Sequence, residues 1–300
     1  MKEAFVDYIH NLQNGITTAL EAMDGVAKFK EDLWERKAGG GGKTRVIENG
    51  GLFEKGGVNT SVVHGTLPES LQHYFETADA DFFAAGLSLV LHPKNPFVPT
   101  VHANWRYFEI YDRNGTLMDA WFGGGQDLTP YYLFEEDAKH FHQVCKSVCD
   151  AHGTNFYDDF KQQCDAYFYN THRGEARGIG GLFFDRLKAN SERAMEDWYH
   201  FVTSVGNSFL DAYLPIVSAR KAIPYGERER QWQEIRRGRY VEFNLVHDKG
   251  TLFGLKTQGR IESILMSLPP TVQWRYDHHP EMGSAEAKLI EVLKHPISWV

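Results

Sequence analysis

The run Val101-His102-Ala103-Asn104-Trp105-Arg106-Tyr107 alternates polar and apolar side chains with a period of two. A strand is the regular backbone that sends successive side chains to opposite faces. His102, Asn104 and Arg106 then share one face, and Ala103, Trp105 and Tyr107 the other. The preceding "GLSLVLH" divides in the same way, with Ser88, Val90 and His92 opposite Leu87, Leu89 and Leu91. If residues 93–100 close a hairpin that sets His92 against His102, Val90 meets Asn104 and Ser88 meets Arg106. One surface of such a sheet can seal a core. The other is either a solvated face or the wall of a site. Solvated strands usually carry Lys, Glu and Thr, whereas this one offers an imidazole, the side chain most often used for proton transfer, an amide, a hydroxyl and a guanidinium suited to carboxylates.

The surrounding chain supports a sheet with helices. Segments 58–63, 84–92, 100–111 and 117–121 are rich in β-branched and aromatic residues and read as strands. Phe5, Tyr8, Ile9, Leu12, Ile16, Leu20 and Met23 recur at steps of three and four, which predicts a long amphipathic first helix. Helical patterns follow at 134–151, 156–168, 196–210 and 214–237, the last broken near Pro224, with a final helix at 286–294. Strand-like segments return at 240–246, 251–255 and 261–266. No linker divides the chain, so residues 1–300 read as one α+β domain built on an antiparallel sheet.

The stretch "RKAGGGGKTRVIENGG" imitates a phosphate-binding loop, but the motif needs a glycine at position 37, where Lys37 stands, and a helix after it. It reads instead as a flexible glycine loop over 39–51. A net charge of −8 argues against nonspecific nucleic-acid binding. No apolar run approaches the roughly 18 residues of a membrane span. The N-terminus reads as an amphipathic helix rather than a signal peptide, and the expected location is the cytoplasm, with the mitochondrial intermembrane space as the alternative. Cys145, Cys149 and Cys164 form no CxxC pair. In "YGERERQWQEIRRGRY" glutamates interleave with arginines, which fits a solvated helix face or an anion site.

Three further motifs collect chemistry. "WFGGGQDLTPYY" places Gly123 to Gly125 where backbone can approach a ligand, and Asp127 either beside the polar strand face or as a turn or cap residue. "HRGEARGIGGLFFD" contributes His172, Arg173, Arg177 and Asp185. "TQGRIES" contributes Gln258, Gly259 and Arg260, a turn able to offer N–H groups and a guanidinium to a carboxylate. Several arginines around a glycine-lined site suit a substrate with multiple carboxylates. No recognised metal spacing appears, although His92, His142 and His172 remain open as a set assembled by the fold.

The segments "GGVNTSVVHG", "SLVLHPKNPFVPTVHANWR", "WFGGGQDLTPYY", "HRGEARGIGGLFFD", "YGERERQWQEIRRGRYVEFNLV" and "GTLFGLKTQGRIESILMSLPP" together resemble the oxygen-dependent coproporphyrinogen III oxidases of haem biosynthesis, from about Lys43 to the C-terminus. The resemblance implies a large antiparallel β-sheet flanked by helices on both faces, and a homodimer whose interface includes residues 240–275. It implies oxidative decarboxylation of two propionates of coproporphyrinogen III to vinyl groups, giving protoporphyrinogen IX, carbon dioxide and hydrogen peroxide. Dioxygen is then the co-substrate, no organic cofactor is expected, and the need for a divalent metal stays open. By the same resemblance His102 and Asp127 are catalytic. His102 is the acid/base group, and Asp127 bonds the pyrrole N–H groups. Ser88, Asn104, Trp105, Arg106, Arg177, Gln258, Gly259 and Arg260 surround the substrate. His92, His142 and His172 match positions assigned to a metal. The glycine segment then leads into a cover for the substrate, with Arg45 as a propionate contact.

Overall fold

The structure, a computed structural model, describes residues 1–67, 72, 80–256 and 259–300. Helix α1 (Lys2–Asp24) buries Phe5, Ile9, Ile16 and Leu20, the stripe expected from their spacing, and ends at Gly25 in the left-handed conformation. The Asp24 carboxylate accepts from the backbone N–H groups of Ala27, Gly51, Leu52 and Phe53 at 2.8–2.9 Å, pinning the end of α1 to a turn of the sheet.

That sheet contains β1 (Lys30–Glu35), β2 (Gly40–Glu48), β3 (Phe53–Thr66), β4 (Asp81–Pro93), β5 (Thr100–Tyr111), β6 (Leu117–Thr129) and β9 (Gly181–Leu187), in the order β1-β2-β3-β4-β5-β6-β9. Every pairing is antiparallel. A separate small ladder joins β7 (Tyr169–Asn170) to β8 (Glu175–Ala176). The helices after β6 are α2 (Glu135–Asp150), α3 (Phe156–Tyr167), α4 (Met195–Asn207), α5 (Phe209–Arg220), α6 (Glu227–Val246), α7 (Lys249–Lys256), α8 (Ile261–Leu265) and α9 (Ala285–Lys294).

Leu87, Leu89, Leu91, Ala103, Trp105 and Tyr107 are buried on one sheet face, in a core shared with α1, α2, α4 and α5. Each large apolar side chain so enclosed contributes roughly 1.5–3 kcal/mol. The opposite face lies under α6 to α8. His92 of β4 stands edge-on to Tyr240 of α6, and Thr44 of β2 bonds Ser263 of α8 at 2.7 Å.

The β4–β5 register pairs Val90 with His102, Ser88 with Asn104 and Gly86 with Arg106. The expected pairing is therefore wrong by two residues, while the assignment of side chains to faces survives, because a slip of two preserves the pleat. The glycine run is a strand, β2, and not a loop. A Cβ on Gly42 would lie 2.3 Å from the Trp34 ring and 2.4 Å from the Thr60 carbonyl, so glycine is what lets Trp34 lie across the strand. The three strands expected at 240–246, 251–255 and 261–266 are helical instead, as the end of α6, α7 and α8. Tyr240, Val241, Phe243 and Asn244 are all buried, a spacing that follows a helical face and not a pleat.

Candidate active site

His102 on β5 sits directly across from Asp127 on β6, and the imidazole Nδ1 lies 2.7 Å from Asp127 Oδ1. Behind the carboxylate stands Arg177, which follows β8. The chain reaches this position because Gly178 packs onto β6, where a Cβ would come within 2.3 Å of the Leu128 carbonyl. Arg177 Nη2 donates to both Asp127 oxygens at 2.9 and 2.8 Å, and Nη1 donates to Asn244 Oδ1 at 2.9 Å. The guanidinium lies 4.0 Å from the centroid of Phe168, 4.7 Å from Tyr240 and 4.9 Å from Phe243, so aromatic faces replace part of its lost hydration.

Burial alone would lift the Asp127 carboxyl, but the Arg177 guanidinium, with His102 beside it, holds it below the usual carboxylate range. Asp127 is thus a fixed anion. A carboxylate only accepts, so Nδ1 of His102 carries the hydrogen, and Nε2 is left as the nitrogen able to exchange a proton with a ligand.

The imidazole opens into a cleft of ≈ 230 Å³ between the polar sheet face and α6 to α8. Ser88, Val90, Asn104 and Arg106 line the sheet side, and Phe168 and Ile264 stand among the apolar walls. Arg106 pairs with Asp185 at 2.8 Å, touches Asn104 at 3.3 Å and stays partly exposed. The cleft thus combines an acid/base nitrogen with a cation that can meet an incoming carboxylate.

Ser88, His102, Asn104, Arg106 and Arg177 come together here, with Asp127 behind His102. Asp127 is 1% exposed, with Oδ1 accepting from His102 and Arg177 and Oδ2 from Arg177, so His102 stands between it and the open cleft. Arg177 borders the cleft but is 3% exposed and paired with Asp127. Trp105 departs from the expected role. It is fully buried on the opposite face, edge-on to Phe209. Gly259 and Arg260 do not line the cleft. Gly259 donates to the Gly254 carbonyl at 2.9 Å, and Arg260 pairs with Asp32 of β1. Gln258 lies outside the described residues. Arg45 bonds Glu31 and Thr17 at 2.9 Å and turns toward α1.

The three histidines do not converge. His92 is held by Thr100 and the Ser267 carbonyl at 3.1 and 2.9 Å. His142 lies in the apolar layer between Tyr157 and the Ile179 carbonyl at 2.9 and 3.0 Å. His172 is exposed, between His247 and Glu242 at 2.9 and 2.8 Å. Each has both ring nitrogens engaged elsewhere, and among the described residues no cluster of three or more His, Cys, Asp or Glu is arranged to hold a metal.

Asn244, Phe168 and Tyr240 were not foreseen as parts of the site. The one cue was the four-residue step from Tyr240 to Asn244, which marks a common face only once the segment is taken as helix.

A buried carboxylate–guanidinium pair that orients an imidazole in an arginine-bearing cleft defines an acid/base enzyme for an anionic substrate. The chain belongs to the coproporphyrinogen III oxidase family, whose profile matches residues 4–299. It is 51% identical over 310 residues to a chloroplastic oxygen-dependent coproporphyrinogen-III oxidase of Glycine max, covering 100% of this chain and 80% of that protein. It is 49% identical, with the same coverage, to chloroplastic coproporphyrinogen-III oxidase 1 of Arabidopsis thaliana.

Proposed function

We propose that the cleft beneath α6 to α8 is where this chain performs the reaction of its family. The chain is an oxygen-dependent coproporphyrinogen III oxidase that converts two propionates of coproporphyrinogen III to vinyl groups. In each half-reaction a –CH2CH2COOH side chain and dioxygen become –CH=CH2, carbon dioxide and hydrogen peroxide. The C–COOH bond breaks, a hydrogen leaves the carbon next to the ring, and dioxygen takes up two electrons and two protons. The observation that carries this placement is the His102–Asp127–Arg177 array, which opens to the cleft mainly at the imidazole.

Arg106 meets a propionate carboxylate, and Ser88 and Asn104 supply hydrogen bonds at the pyrrole edge. His102 Nε2 relays the proton. Asp127 keeps the ring in one tautomer and stabilises it when charged, and Arg177 keeps Asp127 ionised. At ≈ 230 Å³ the cleft is smaller than the roughly 300 Å³ at which small-molecule pockets begin, which suits one propionate-bearing ring edge rather than the whole macrocycle. We also propose a homodimer through 240–275, whose outer side exposes Leu245, Val246, Ile261 and Trp274. Sedimentation showing only monomer at assay concentration would remove it.

The test of function is aerobic against anaerobic incubation with coproporphyrinogen III, with peroxide counted. Two peroxides per protoporphyrinogen are expected in air and no product without it. A protein that merely binds tetrapyrroles yields none in either, and wild-type turnover by the His102→Ala variant would move the chemistry elsewhere.

A further inference from the structure

A second cleft, of ≈ 200 Å³, lies between α6, α9 and the segment 275–280, walled in part by Trp232, Ile235 and Ile290. Five cationic side chains border it: Arg173, Arg236, Arg239, Arg275 and Lys294. Two carboxylates serve this group. Glu175 takes Arg236 at 2.7 Å, and Glu242 takes Arg173 at 2.7 Å and Arg239 at 3.2 Å. Among the described residues Arg275 bonds only the neutral Gln231 and Gln273, at 2.7 and 3.2 Å, and Lys294 has no carboxylate partner. The remaining wall acid, Asp277, turns to His279. Positive charge therefore exceeds negative in this cleft, in a chain whose net charge is −8.

Arg236 points the same way. It is 4% exposed and borders the cleft, and among the described residues only Nη1 of its guanidinium nitrogens is hydrogen-bonded, to Glu175. Its spare N–H donors open on the cleft, where an acceptor could meet them. Burial and the nearby Arg173 charge also lower the pKa of Arg239, which is the same surplus seen from another group. The volume is below that of drug-sized pockets, and the indole and aliphatic walls favour a compact apolar body.

We propose that this cleft binds a one-ring organic acid, separate from the His102 cleft, with a carboxylate at Arg236 and Arg275 and the ring against Trp232 and Ile290. Planar guanidinium groups match a carboxylate through paired N–H donors.

The test is calorimetric titration of the full chain with benzene-1,3-dicarboxylate at physiological ionic strength, beside inorganic phosphate. One saturable site per chain is expected. Binding should weaken about tenfold or more in Arg275→Gln/Lys294→Gln and remain unchanged in Arg106→Gln. Both substituted residues of the double variant are exposed, so it should fold with the wild-type Tm. Absence of saturable binding overturns the proposal, as does binding that ignores the double variant. Loss in Arg106→Gln would assign the acid to the His102 cleft. Phosphate bound as tightly, with the same sensitivity, would reduce the cleft to a plain anion site and overturn the organic acid.

Discussion

Arg177 and Asp127 meet at 2.8 Å with side chains only 2% exposed, directly behind the imidazole of His102. Two charges this far from water persist because each supplies the other's counter-charge and because Asn244 and three aromatic rings flank the guanidinium.

Breaking the pair from one side strands a buried charge. Arg177→Met should destabilise the protein by about 3–5 kcal/mol and abolish turnover. Adding Asp127→Asn to it should recover most of the stability and none of the activity. Denaturant unfolding of the single and double variants checks this. A double variant no more stable than the single one would show that the pair is not what Arg177 contributes to the fold.

His102 is the most exposed member of the array. His102→Ala should lower kcat by about 100-fold or more while KM changes far less, since the carboxylate contact at Arg106 is untouched. Steady-state oxygen-dependent turnover separates the two constants. A change confined to KM would make His102 a binding group only.

Acid should unfold the protein in two overlapping windows. Burial holds the His142 imidazole down to about 3, against an ordinary 6.5. The unfolded chain therefore takes up this proton first, and stability present above pH 6.5 is lost as pH falls toward 3. Burial would raise the Glu242 carboxyl, but bonds from Arg173 and His172 bring it down to about 2 from 4.5. Its contribution is present above pH 4.5 and is lost on descent to about 2. Tm measured from pH 7.5 to 3 should begin to fall below about 6.5. Glu242→Gln should reduce the loss below 4.5, and His142→Gln part of the loss above it, a window that His92, also held well below its ordinary value by burial, shares. An unaltered profile in both variants would assign the acid sensitivity to other groups.

The glycine strand yields a structural and a functional expectation. Gly42→Ala should displace the Trp34 ring and cost about 1–3 kcal/mol, visible as a lower Tm with altered tryptophan fluorescence. Arg45→Ala should leave KM and kcat unchanged, because Arg45 is tied to Glu31 and Thr17 on the α1 side. A raised KM for this variant would return Arg45 to the substrate.

Much of this protein is written locally. The alternation from Val101 to Tyr107 assigned His102, Asn104 and Arg106 to one face, since a strand's side-chain period needs no knowledge of its neighbours. The three-to-four spacing of Phe5 to Met23 likewise announced α1, and the long motifs carried the family and its reaction. Other features depended on what packs against what. Tyr240 to Val246 satisfies both an alternating and a helical pattern, and its burial against Phe168 and Arg177 decides for the helix. The glycines of β2 look like a loop until Trp34 lies across them. Trp105 sits between two site residues in sequence, yet the pleat turns it into the core. Arg177 and Asp127 are 50 residues apart, so their pairing belongs to the tertiary structure. Sequence periodicity specifies which way a side chain points from its own backbone. Which partner it finds there is set by long-range packing, and that is where the chemistry of His102 was decided.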